Sequence, residues 1–190
     1  MIEKKYYCFR TKMKKTLFLI AVICLVTSVS RAQVEKGTIS LGGAIGYASF
    51  DDPQMTSMLD LSGNSLYFPE NNFGVGLTPR FSYSHSTIGV YTAINIAPSV
   101  KYYFGKEIFK PFLTGGIGYT NTSIPYHDDN GFGSFTFSSV SGFVGGGAEY
   151  FLSKYLGVGA TLQINLSKSF DSQPYYSEVL FLVGFNMYIP

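Results

Sequence analysis

Apolar and polar residues alternate through most of the chain from residue 37 onward. In the clearest stretch, even positions from Leu156 to Leu166 are apolar, and odd positions up to Ser167 are polar or glycine. Because successive side chains point to opposite faces of a β-strand, this period of two predicts strands with one apolar and one polar face. Turn signals divide the chain into eight such segments, at residues 37–50, 55–68, 73–84, 90–104, 110–122, 134–152, 156–170 and 175–189.

The connections between the segments differ in length. Residues 69–72, 105–109 and 153–155 are tight turns, whereas the intervening connections are polar and mostly longer, notably 121–133. Short turns at one end and longer loops at the other are typical of an even-stranded antiparallel barrel. The pattern predicts an all-β fold, an eight-stranded antiparallel up-and-down transmembrane β-barrel.

Composition of the polar rows indicates which face points outward. They are rich in Ser, Thr, Asn, Gln and Gly, and they carry few charges, namely Asp60, Arg80, Lys101, Glu149 and Glu178. Such a face suits a narrow hydrogen-bonded interior, so we expect the apolar rows to meet lipid. Because unpaired buried charges are costly and both signs occur, we expect an interior ion-pair network of these five residues.

Aromatic residues cluster at both ends of the predicted strands, as in the interfacial belts of membrane barrels. An aromatic-rich soluble sandwich is the alternative interpretation. The two predicted belts comprise Tyr67, Phe68, Phe73, Tyr102, Phe104, Tyr150, Phe151, Tyr155 and Tyr188 near the tight turns, and Tyr47, Phe50, Phe81, Tyr83, Tyr91, Tyr119 and Tyr175 near the longer loops.

Residues 1–32 have the features of an N-terminal extension plus a signal peptide. Lys14 and Lys15 precede an apolar run from Leu17 to Val26, and small residues lead to Ala32. This order predicts export, with cleavage after Ala32 and a barrel domain over 33–190. The basic head lies far into the chain, so we expect Met13 to be the true start; a long basic head region is the alternative.

Composition excludes several other classes of protein. Of 190 residues, 46% are hydrophobic and 14% charged, which is incompatible with disorder. The predicted leader holds both cysteines, 7 of the 14 Lys and Arg, and 1 of the 12 Asp and Glu, leaving the exported part with 7 basic and 11 acidic residues and a formal charge of −4. These numbers do not favour disulfides, zinc or nucleic acid as a partner, and we expect no cofactor.

Four stretches resemble the small outer-membrane β-barrel proteins of the OmpX and OmpA-barrel type, in the form common in Bacteroidota. They are residues 36–43 (KGTISLGG), 98–104 (PSVKYYF), 110–119 (KPFLTGGIGY) and 145–152 (GGGAEYFL). The resemblance covers residues 35–190. It implies localisation in a Gram-negative outer membrane, with both termini and the tight turns in the periplasm and the longer loops outside.

The resemblance also implies partners, namely outer-membrane lipid, lipopolysaccharide and the barrel assembly machinery. Such barrels usually finish on an aromatic residue that the machinery reads, whereas this chain ends Met-Tyr-Ile-Pro, leaving Tyr188 as the aromatic available. An extracellular ligand would meet the loops at 51–55, 85–89, 121–133 and 171–174.

Candidate catalytic and metal-binding residues are few. Ser84-His85-Ser86 lies at the loop end, where barrel enzymes that modify lipid A or phospholipid use Ser and His, but neighbours on a strand face opposite ways. His127-Asp128-Asp129 could be an Asp–His protease pair or a cation site, and a solvated loop explains the same residues equally well. Calcium would need Asp51 and Asp52 to meet the acidic residues of that loop.

Pro79 and Pro98 each remove a backbone donor from a predicted strand, so we expect a local bulge at each. Gly115-Gly116 and Gly145–Gly147 have no helix after them, so they fit strand curvature rather than phosphate binding.

Three functions follow from this reading. The favoured one is a non-catalytic surface protein whose outer loops serve envelope integrity, adhesion or surface interaction. The alternatives are a lipid-modifying enzyme at the barrel rim, and a narrow channel or small-ligand carrier. A lumen lacking the Lys101–Glu149 pair would favour the channel.

Overall fold

The computed structural model describes residues 34–48, 55–86, 90–105, 107–128, 131–170 and 176–190. These residues form a closed barrel in which each strand pairs antiparallel with its neighbours in chain order and the first pairs with the last. Its strands are β1 (Ile39–Ala48), β2 (Met55–Glu70), β3 (Phe73–Ser86), β4 (Val90–Tyr103), β5 (Phe109–Asp128), β6 (Gly131–Ser153), β7 (Leu156–Ser169) and β8 (Tyr176–Ile189). The predicted eight-stranded up-and-down barrel is therefore confirmed. Within the described ranges, no helix is long and apolar enough to cross a membrane.

The two ends of the barrel differ, and we name them the turn end and the loop end. The turn end holds the connections β2–β3, β4–β5 and β6–β7. It also holds the start of β1 and the end of β8. Asn72 has a φ of 65° and Gly105 a φ of 80°, so two of these turns use the left-handed conformation that Asn and Gly tolerate best. The loop end holds the other four connections. The predicted leader (1–32) and residues 51–54, 87–89 and 171–174 of the predicted ligand loops lie outside the described residues.

The apolar rows face outward, as predicted. On β7, Leu162 is 57% exposed while its neighbour Gln163 is 7% exposed, and the same contrast recurs between Phe181 and Leu182 on β8. A closed barrel with an apolar exterior satisfies its backbone hydrogen bonds internally, which is the condition for crossing lipid with strands.

The expected bulges at Pro79 and Pro98 do not occur. β3 and β4 pair without a break from Phe73 to His85, with Pro79 opposite Ile96 and Pro98 opposite Leu77. On the other side of each proline, toward β2 for Pro79 and toward β5 for Pro98, the pairing is interrupted for two residues and then continues in the same register. A missing N–H thus interrupts pairing on one side only, because each strand residue directs its N–H toward a single neighbour. The irregularities lie elsewhere, between Met55 and Ser57, Tyr67 and Glu70, and Phe151 and Ser153.

The prediction of a loop at 121–133 is wrong, because most of these residues belong to strands. β5 continues to Asp128 and β6 begins at Gly131, and the two remain paired up to Asp128 opposite Gly131. Pairing of β4 with β5 reaches Thr92 opposite Ser123, and pairing of β6 with β7 reaches Ser139 opposite Ser169. Residues 124–128 and 131–138 therefore form a two-stranded hairpin that extends past the paired residues of both neighbouring strands, and we call it the β5–β6 extension. At the usual rise per strand residue, its β5 arm projects about 17 Å.

Candidate functional site

The lumen at the turn end is organised around the Glu149 carboxylate, which is fully buried. Tyr103 and Tyr188 each donate a hydrogen bond of 2.6 Å to it, and Asn186 Nδ2 donates one of 2.9 Å. Lys101 Nζ lies 3.1 Å from Glu149 Oε2 and completes the ion pair. Four donors from β4 and β8 thus converge on one carboxylate of β6, which is how a buried charge is stabilised.

Glycine on the neighbouring strands makes room for this polar centre. A Cβ built on Gly157 would lie 2.0 Å from Glu149 Oε1, and one built on Gly42 would lie 2.1 Å from Asn186 Oδ1. Neither distance leaves space for a side chain. These two strand glycines therefore allow the carboxylate and the amide to reach the barrel wall.

Aromatic rings fill the lumen around Glu149. Tyr103 packs edge-on against Phe112 and Phe151, with ring centroids 5.6 and 6.0 Å away, and Phe151 lies 5.2 Å from Tyr188. Phe68 packs on both tyrosines. The buried cluster also includes Leu66 and Val34, which precedes β1 and accepts a hydrogen bond from the Asn72 N–H at its carbonyl. We call these seven side chains the aromatic plug.

Two lysines border the aromatic plug. Lys101 Nζ lies 4.0 Å from the centroid of the Phe112 ring, and Lys110 Nζ lies 5.4 Å from that of Phe151. Lys110 also donates a 3.2 Å hydrogen bond to Asn72 Oδ1 in the β2–β3 turn. The cations are therefore held by ring faces as well as by polar partners.

A second charged group lies toward the loop end. The Arg80 guanidinium contacts Asp60 through Nε and Glu178 through a terminal nitrogen, spanning the lumen from β3 to β8. Ser82 donates to Asp60 Oδ2 at 2.7 Å, and Asn165 donates to Glu178 Oε1 at 2.8 Å. Among the described residues, Asp60 Oδ1 is a buried polar atom without a hydrogen-bond partner. We call Asp60, Arg80 and Glu178 the charged triad.

A chamber of about 610 Å³ occupies the lumen on the loop-end side of the barrel. Arg80 and Glu178 contribute to its wall, as do hydroxyl and amide side chains of β3 to β8. A second, smaller space of about 80 Å³ lies between the chamber and the aromatic plug, with Lys101, Phe112 and Glu149 in its wall. The described lumen is thus packed at the turn end and roomy toward the loop end.

The structure places all five of the predicted interior charges inside the barrel, but in two groups rather than one network. Lys101 pairs with Glu149, and Arg80 pairs with Asp60 and Glu178. Sequence reasoning missed Lys110, which is fully buried. Its signal was available, because Lys110, Phe112, Thr114 and Gly116 occupy alternate positions and therefore share the inward row.

Part of the predicted aromatic belts is also wrong. Phe68, Phe151 and Tyr188 are buried in the aromatic plug, and Tyr91 lines the chamber. Phe50 and Tyr175 lie outside the described residues. Exposed belt positions are Tyr67, Tyr102, Phe104, Tyr150 and Tyr155 at the turn end, and Tyr47, Phe81, Tyr83 and Tyr119 toward the loop end.

The candidate catalytic side chains that the structure describes, Ser84 and His85, do not converge. Ser84 is buried on the inner face of β3, whereas His85 is exposed on its outer face, opposite Val90. Ser86 and His127 belong to strands by their backbone, and their side chains lie outside the described part, as do Asp51, Asp52 and Asp129. No group of three or more His, Cys, Asp or Glu side chains comes together in the part of the chain that is described.

Known proteins of similar fold are small barrels of bacterial outer membranes. OprG of Pseudomonas aeruginosa has a TM-score of 0.55 and 12% identity, covering 84% of this chain and 99% of its own. Neisserial surface protein A has a TM-score of 0.54 and 13% identity, covering 79% of this chain and 95% of its own. The N-terminal barrel domain of Pseudomonas aeruginosa OprF has a TM-score of 0.52 and 11% identity, covering 81% of this chain and 98% of its own. At these identities the likeness shows the fold alone.

No curated protein sequence matches the chain. The model of one family, described as the outer membrane protein beta-barrel domain, matches residues 18–186. This match spans nearly all of the strands, and it agrees with the closed barrel and its apolar exterior. The chain belongs to the outer membrane protein β-barrel family and is an outer-membrane protein.

Proposed function

We propose that the protein is a non-catalytic, non-conducting outer-membrane barrel that uses its loop end for surface interaction. The observation that carries this proposal is the β5–β6 extension. Beyond Ser123 on β5 and Ser138 on β6, whose carbonyl accepts a hydrogen bond from the Phe170 N–H, the two strands pair only with each other among the described residues. Their outer edges therefore present backbone N–H and C=O groups of the kind that bind a partner strand by β-augmentation.

The interior supports a role without conduction. The Lys101–Glu149 pair is present at 3.1 Å, and the aromatic plug surrounds it. A lumen packed with rings and a satisfied ion pair favours a barrel that closes the membrane rather than one that passes solutes. The positions of Ser84 and His85 on opposite faces of β3 favour a role without catalysis, because a nucleophile and its base need hydrogen-bond reach.

Orientation and partners belong to the same proposal. The leader would direct export and be cut after Ala32, and both ends of the mature chain would then lie in the periplasm with the turn end. The loop end, with the β5–β6 extension, would face outward beside lipopolysaccharide. The barrel assembly machinery would insert the chain.

Shortening the hairpin tests the proposal. Replacing residues 125–134 by Asn-Gly retains the Ile124–Phe135 pair and closes it with a two-residue turn. Bacteria that display the wild-type protein are expected to adhere to epithelial monolayers, or to one another, more than cells that display the shortened variant at equal surface density. Equal adhesion by the two variants, or a change only in sensitivity of the envelope to detergents, would overturn surface interaction through this hairpin.

A further inference from the structure

The chamber on the loop-end side of the lumen has the volume and the chemistry of a ligand site. Its volume of about 610 Å³ lies within the range of roughly 300–1,000 Å³ that small-molecule sites occupy. The aromatic plug does not line this space, and the β5–β6 extension reaches it only through Ile124 and Phe137 at its base. It is therefore a feature of the barrel that surface interaction leaves unexplained.

Hydroxyl and amide groups dominate the polar part of the wall. Thr122, Ser139 and Ser167 line it from three strands in succession, and Asn95 and Gln163 add amides. Hydroxyls and amides both donate and accept hydrogen bonds, so this part of the wall matches a ligand that carries both kinds of group along one rim.

Aromatic faces add a second kind of contact. Tyr91, Phe137 and Phe143 line the chamber from β4 and β6. Flat ring faces beside hydrogen-bonding side chains suit a molecule with an apolar C–H face and a polar rim. Pyranose rings have this combination of surfaces.

The charges of the wall are already paired. Arg80 is held between Asp60 and Glu178, and Asn165 also donates to Glu178. An anion in the chamber would meet the Glu178 carboxylate, and the cation that lines the described wall, Arg80, is already bound to two carboxylates. A cation would compete with Arg80 and Asn165 for Glu178. An uncharged ligand needs no counter-charge and escapes both costs.

We propose that the chamber binds a small uncharged polyhydroxylated molecule, of the size and chemistry of a mono- or disaccharide. Hydroxyl and amide side chains of β4 to β7 hold its rim, and the rings of β4 and β6 cover its face. The ligand enters the half of the lumen nearer the loop end, and the aromatic plug limits its passage toward the turn end. Binding of this kind does not require a partner strand at the outer edges of the β5–β6 extension, whose Phe137 lines the chamber from the inside.

Sugars that differ mainly in their charge test whether the chamber prefers an uncharged ligand. The full chain is folded in a detergent without a sugar headgroup, and glucose, glucosamine and glucuronate are titrated while amide NMR shifts are recorded. We expect glucose to bind with a dissociation constant on the order of 10 mM or tighter, and maltose to bind more tightly than glucose because it fills more of the chamber. Tighter binding of glucosamine or glucuronate than of glucose would overturn the uncharged class.

Substitutions that fill the chamber test whether the sugar binds there. Thr122→Phe and Ser139→Phe each put a ring into the lumen, whereas Val140→Phe, on the strand position next to Ser139, puts the same ring into lipid. All three must first show the faster-migrating folded band on unboiled SDS gels. We expect both inward variants to weaken maltose binding by about tenfold or more and Val140→Phe to leave it unchanged. Equal binding by all variants, or no binding of any sugar to the folded wild type, would overturn the proposal.

Discussion

At the residue scale, the Glu149 carboxylate accepts hydrogen bonds from Tyr103, Tyr188, Asn186 and Lys101, and its side chain is fully buried. Glu149→Gln removes the charge that compensates the Lys101 ammonium. Breaking a buried ion pair by removal of one partner typically costs about 3 kcal/mol or more. We therefore expect a drop of that size in the free energy of unfolding, measured by urea titration of the barrel in lipid vesicles.

Two further variants separate the ion pair from a general effect of substitution. Glu70→Gln removes an equally charged group whose bond to Lys36 is exposed to solvent, and it should change stability little. Lys101→Met in the Glu149→Gln background removes the orphaned ammonium and should recover part of the loss. A double variant less stable than Glu149→Gln alone would contradict the view that the uncompensated lysine carries the cost.

At the scale of the element, β7 presents adjacent residues to lipid and to the lumen. Leu162→Arg puts a charge on the apolar exterior, where arginine costs about 2–4 kcal/mol near the bilayer midplane. Gln163→Arg puts the same charge into the lumen, beside Asn165 and near the carboxylate of Glu178. We expect Leu162→Arg to abolish assembly and Gln163→Arg to be tolerated better, as judged by the folded fraction on unboiled SDS gels. The opposite ranking would reverse the assignment of the two faces.

Alternation along strands such as β7 was sufficient to predict the eight strands and their lipid-facing rows, because burial in a barrel follows the period of two. Near a turn it was harder to decide whether an aromatic side chain faces the lumen or the lipid. Phe68 shares the inward row of Asp60 and Leu66, yet its place beside a tight turn is equally typical of an interfacial belt. Belt and plug use the same residue types, so composition could not separate them, although strict alternation would have done so.

The length of β5 and β6 was also underestimated. Residues 121–133 contain Asn, Asp, Gly and Pro, which are typical of loops. Their pairing depends on the partner strand, since each arm of the β5–β6 extension satisfies its backbone groups through the other. Such a long-range property is invisible in a local pattern. The division of the five charges into two groups was inaccessible for the same reason, because it depends on distances across the lumen.

At the scale of the whole molecule, the barrel combines a filled half and a roomy half. The aromatic plug, with Glu149 at its centre, lies at the turn end, and the chamber lies toward the loop end. Under the function proposed above, the filled half would supply stability and a barrier, while the roomy half and the β5–β6 extension would leave the loop end available for ligands or partners.

The barrier leads to a prediction about conductance. In a planar bilayer, the wild-type protein should show no stepwise ion conductance, because ions would have to cross a core of packed rings. The double variant Phe68→Ala, Phe151→Ala removes two rings from the plug and should permit small conductance steps, provided that the unboiled gel band shows that it still folds. An established wide porin in the same bilayer serves as the positive control. Stepwise conductance of the folded wild type would contradict a closed barrel, and it would restore the narrow channel as the leading function, with the plug as a movable gate.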